Sequence, residues 1–74
     1  GGKKSGQFDK AIERFLIVIK EQPSNLEAMV NLAECYELSN HKDKAIEWYT
    51  KVRTLVNIPE AKEAINKRIQ ELKK

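Results

Sequence analysis

The sequence predicts an all-α domain: four antiparallel helices forming helix–turn–helix repeats, stacked as a short right-handed α-solenoid. Three observations lead there. The pentapeptide Asp9-Lys10-Ala11-Ile12-Glu13 returns thirty-four residues later as Asp43-Lys44-Ala45-Ile46-Glu47. At the same offset Ser5 meets Ser39, Phe15 meets Tyr49 and Val18 meets Val52, so the larger apolar positions are preserved along with the pentapeptide. The apolar residues recur at i, i+3, i+4 and i+7, the spacing that lays a stripe along a helix. Start and stop signals around Pro23, Asn40 and Pro59 divide the chain into four such stretches.

The first helix is expected over about residues 7–21, with Phe8, Ala11, Ile12, Phe15, Val18 and Ile19 on one stripe. Pro23 cannot continue it, because it lacks the N–H and clashes with the preceding turn. Ser24-Asn25-Leu26-Glu27 then reads as a capping box, in which Ser24 accepts from the first turn and Glu27 reaches back. The second helix carries Ala28, Met29, Leu32, Ala33 and Tyr36, and the small Ala28 and Ala33 permit close approach of a neighbour. It weakens at Ser39-Asn40-His41. The third helix, about residues 42–55, presents Ala45, Ile46, Tyr49, Val52 and Val56 and is the second copy of the first. Asn57 is a candidate cap for the fourth, with Pro59 tolerated in its first turn. Ala61, Ala64, Ile65, Ile69 and Leu72 form a sparser stripe backed by Lys62, Lys67, Arg68, Glu71 and Lys73, the pattern of a helix that closes a stack.

A chain of 74 residues is a single small domain, expected to bury only about 60% of its unfolded surface. One cysteine excludes an internal disulfide and cannot supply a structural zinc site, so helix packing must hold the fold. The net charge of +3 is mild, and Lys3, Lys4, Lys73 and Lys74 at the ends account for much of it. Solvated tails of this kind argue against nucleic acid, whose usual footprint is a basic face on the fold itself. Residues 1–4 are set aside as a tag remnant, for Gly1-Gly2, or a disordered basic N-terminus. No run approaches the roughly 18 apolar residues of a membrane span and no secretory signal opens the chain, so the cytoplasm is the default compartment.

Leu32-Ala33 with Tyr36, followed by Ala45, Tyr49 and Val52, resembles the tetratricopeptide repeat family, and Gly6, Phe8, Ala11, Phe15, Val18 and Pro23 resemble the second half of an earlier unit. The likeness covers residues 5–59 and divides the domain at 5–74 into a half repeat (5–24), a complete repeat (25–58) and a capping helix (59–74). Met29, Asn40, Lys42 and Asn57 depart from the pattern. Asn40 is the tolerable one, since asparagine can adopt the left-handed conformation of a turn glycine, whereas Lys42 leaves the start of the third helix less anchored. The resemblance implies that the second helix lines a concave face, with Glu27, Val30, Asn31, Glu34, Glu37 and Leu38 as partner-binding residues. Asn31 is similar to an asparagine that holds a ligand's backbone in that family. Where a subgroup that binds acidic tails carries Lys and Arg, this chain has Glu27, Val30 and Glu34, so a basic or apolar segment is expected rather than an acidic one.

No catalytic residue, cofactor or metal site is assigned. His41 sits in a turn and Cys35 inside a helix, with neither ligand spacing nor a nucleophile–base arrangement between them. Trp48 is expected to pack along its neighbours while its indole N–H stays wet. The function expected is that of a non-enzymatic interaction scaffold or adaptor, the terminal part of a larger array, binding a peptide or partner helix. The first alternative is self-association, because Leu16 and Ile17 make the first helix apolar on more than one face and leave an edge for missing repeats or a second copy. The second is weak nucleic-acid binding through the lysine tails.

Overall fold

The computed structural model describes residues 3–74, with side chains from Gln7 onward. Four helices follow in order: α1 (Lys3–Glu21), α2 (Leu26–Leu38), α3 (Lys42–Leu55) and α4 (Pro59–Lys73). Each packs on the next, α1 on α2, α2 on α3 and α3 on α4, and the short connections make neighbours antiparallel. The array is a slab of 39 × 33 × 14 Å. This is the all-α, four-helix arrangement that the periodicity predicts. The bounds of α3 agree with the sequence reading, whereas α1 begins at Lys3 rather than near Gln7, so that Gly6 lies within a helix and not at a turn. Gly1 and Gly2, the expected tag remnant, lie outside the described residues, as do the side chains of Lys3 and Lys4.

The start of α2 corrects the expected capping box. The cap is Asn25, one residue later, whose Oδ1 accepts from the Ala28 N–H at 3.0 Å. The Asn25 N–H bonds the Gln22 carbonyl at 3.0 Å and its amide donates to Gln22 Oε1 at 3.0 Å. This turn across Pro23-Ser24 places Asn25, not Ser24, in the extended conformation (φ −76°, ψ 90°) from which a side chain reaches the third helical N–H.

The other end of α2 bears out the reading of Asn40, which has φ 68°. The His41 N–H returns to the Tyr36 carbonyl at 2.7 Å and the Asn40 N–H to the Glu37 carbonyl at 3.1 Å. These are the two bonds of a Schellman motif, and the hydrophobic contact that accompanies it is made by the Tyr36 and His41 rings, edge to face at 6.1 Å between centroids. Anchorage that the exposed Lys42 does not supply comes from this turn. At the last connection Asn57 does not cap α4; Ile58 holds the cap position without a side-chain bond, and Pro59 occupies the first turn as expected.

The core contains no buried polar or charged residue among those described. Ile12, Ile19, Ala28, Met29, Leu32, Val52 and Val56 form one cluster, and Ala33, Ala45, Tyr49, Ile69 and Leu72 a second. Ala33 and Ala45 are both fully buried. Two small side chains in the same cluster let the α2 and α3 backbones approach closely, as the alanines of α2 predict.

Candidate protein-interaction groove

Helices α2 and α4 flank α3 and leave a groove over Tyr49. Val30 and Glu34 of α2, Ala64, Ile65 and Arg68 of α4, and Tyr49 of α3 line a hollow of about 160 Å³. A second hollow of about 160 Å³ continues it toward the end of α2, between Glu34, Glu37, Leu38 and Arg68. The residues follow helical spacing: Val30, Glu34 and Glu37 share one face of α2, and Ala64, Ile65 and Arg68 share one face of α4.

Glu37 ties the three helices together. Its carboxylate accepts from the Tyr49 hydroxyl at 3.2 Å and from Arg68 Nη1 at 3.2 and 3.3 Å. Burial pushes the Tyr49 phenol well above its ordinary range, and the adjacent Glu37 carboxylate adds to the shift while Arg68 opposes it. The Arg68 guanidinium is pushed up in turn, chiefly by Glu37. Half of Arg68 is in water, so this ion pair contributes at most about 1 kcal/mol. The phenol–carboxylate hydrogen bond is the stronger link, because its acceptor is charged and the pair is partly buried.

Of the residues singled out in the sequence, Val30, Glu34, Glu37 and Leu38 lie together in this groove, Leu38 being 67% exposed at its end. Glu27, in the first turn of α2, and the half-buried Asn31 line neither hollow. Leu16 and Ile17 lie on α1, 39% and 54% exposed. The contribution of α4 is not among the sequence expectations, in which Ala64 and Ile65 belong to the stripe and Arg68 to the polar backing of a closing helix. Their spacing, an apolar i, i+1 pair followed by arginine at i+4, was the available signal. Among the described residues Glu34 makes no ion pair, whereas Glu37 is already matched by Arg68. The groove therefore presents an apolar strip with two carboxylates, Glu34 and Glu37, around the single guanidinium of Arg68, which Glu37 bonds and Glu34 helps to push up.

Chemistry elsewhere is sparse. Burial, and then Glu34, push the Cys35 thiol up, the opposite of an activated nucleophile. Trp48 is half-buried, with Lys51 Nζ 4.4 Å from its ring centroid. Among the described residues no group of His, Cys, Asp and Glu side chains gathers that could hold a metal ion, and no helix is long and apolar enough to cross a membrane.

A family model described as regulator of microtubule dynamics protein 1-3 matches residues 1–74. The chain belongs to that family. This corrects the tetratricopeptide assignment, which rested on residues 5–59 and left α4 without a counterpart. Leu32, Ala33, Ala45, Tyr49 and Val52, which carried the resemblance, are core residues here, and alternation of small and large side chains is what close packing of helical hairpins requires in general. Membership of the family accords with an interaction module for protein partners. No curated protein and no solved structure matches the chain.

Proposed function

We propose that this domain is a non-catalytic protein-interaction module that receives a peptide or helix of a partner in the α2/α4 groove. The partner segment carries Lys or Arg beside an apolar anchor. The observation that supports this reading is the pairing of Val30, Ala64 and Ile65 with an excess of negative charge: Glu34 and Glu37 share the one guanidinium of Arg68, which is bonded to Glu37. The apolar strip takes the anchor and Glu34 the cation. The family's name makes a protein engaged in microtubule dynamics the class of partner to test first.

A groove of this size supports weak binding, with Kd on the order of 100 μM, because a short segment offers little area against the cost of immobilising it. Fluorescence anisotropy with matched basic–apolar and acidic–apolar peptides tests the reading. The basic set should bind tighter, lose affinity as salt rises, and be weakened by Glu34→Lys and by Val30→Asp. Equal or tighter binding of the acidic set, or indifference to both substitutions, refutes it. Cosedimentation of the wild type and Glu34→Lys with assembled microtubules then asks whether the partner segment belongs to the filament itself.

A further inference from the structure

Exposed large apolar residues occur at Leu38, Leu55 and Ile58 as well as on α1, and on the outer face of α1 two of them lie between opposite charges. Glu13, Leu16, Ile17 and Lys20 fall at i, i+3, i+4 and i+7, so they share one face of the helix, and all four are exposed. Phe15 and Ile19 turn the other way, into the core. Along this face the order is acid, apolar, apolar, base. Among the described residues neither Glu13 nor Lys20 has an ion-pair partner. A hollow of about 310 Å³, lined by Lys10, Glu13, Arg14 and Ile17, lies beside the apolar pair.

We propose that this face pairs with the same face of a second copy of the chain, α1 running antiparallel to α1 about a two-fold axis between Leu16 and Ile17. The sequence is self-complementary in that register. Leu16 of each copy meets Ile17 of the other, and Glu13 of each meets Lys20 of the other, giving two symmetric ion pairs around an apolar centre. A parallel pairing would instead oppose like charges at both positions. Pairing one face with itself about a two-fold axis uses up that face on both copies and makes a closed dimer rather than a filament. With a single helix pair at its centre the contact falls below the area of a tight interface, so the dimer is weak, with Kd on the order of 100 μM.

Sedimentation equilibrium of the whole chain from micromolar concentrations to about 1 mM measures it. The wild type should associate to a dimer and no further. Glu13→Lys and Lys20→Glu, each alone, should weaken the dimer about tenfold, because each replaces two attractions by two repulsions. The two variants mixed together, and the double substitution Glu13→Lys/Lys20→Glu, should recover association. All four positions are exposed, so unchanged far-ultraviolet dichroism confirms the fold of each variant. A monomer throughout the range, association that ignores the charge reversals, or growth to higher oligomers overturns the proposal. None of the four residues lines the α2/α4 groove, so peptide binding there stands or falls separately.

Discussion

Helices α1 and α3 carry the same pentapeptide, and the structure places the two copies in different surroundings. Ala45 is fully buried and its counterpart Ala11 half-buried; Tyr49 and Val52 are buried, Phe15 and Val18 only partly so. The difference lies in the neighbours. Helix α3 is covered by α2 on one side and α4 on the other, whereas among the described residues α1 packs chiefly on α2. Equal side chains therefore do unequal amounts of work: burial energy belongs to the contact and not to the residue, because it scales with the area withdrawn from water.

The largest test of that comparison is truncation of the aromatic pair. Tyr49→Ala should destabilise by about 3–5 kcal/mol, since it opens a cavity and removes a hydrogen bond to Glu37. Phe15→Ala should cost less than half as much in the same urea titration; equal losses would mean that α1 is as tightly held as α3. The valines sharpen the contrast on a smaller scale. Val52→Ala is expected to cost about 2 kcal/mol and Val18→Ala about 1 kcal/mol or less.

The phenol that α3 has and α1 lacks adds a pH dependence. Tyr49 has a raised pKa in the fold, so its neutral form is favoured and its contribution is complete below the unfolded value of about 10. Stability should fall as pH rises above that, by up to about 1.4 kcal/mol per unit. Ultraviolet absorbance should show Tyr49 ionising only with alkaline unfolding, and Tyr49→Phe should flatten the dependence. Normal titration of both tyrosines in the folded chain would remove the basis for it.

The smallest effect concerns the turns that precede α2 and α3. Asn25→Ala should cost about 1 kcal/mol and Ser24→Ala close to nothing, because only Asn25 caps α2. Asn40→Gly should be neutral or slightly stabilising, and Asn40→Ala should cost about 1 kcal/mol at its positive φ. Melting curves of the four variants separate these outcomes.

Much of this was legible in the sequence. Apolar spacing located every helix and nearly all of the core, and the left-handed turn could be read from Asn40, because that residue type relieves a local steric restriction. Signals that compete at neighbouring positions were not resolved: Ser24 and Asn25 are both good caps, and only the turn anchored on Gln22 selects between them. The family could not be read from residues that any close-packed hairpin needs. Half of the groove was hidden for a related reason. Arg68 looked like surface solubilisation until Glu37, thirty-one residues away, came within hydrogen-bonding reach.

That same carboxylate is a polar latch between α2 and α4, beside the apolar hold of Ile65, Ile69 and Leu72. If the proposed cationic segment, seated on Glu34, also reached Glu37, it would compete with Arg68 for that latch. The coupling would then run both ways: whatever tightens α4 would raise the threshold for such a segment by the same free energy. Helix α4 would act as an internal rival to the ligand.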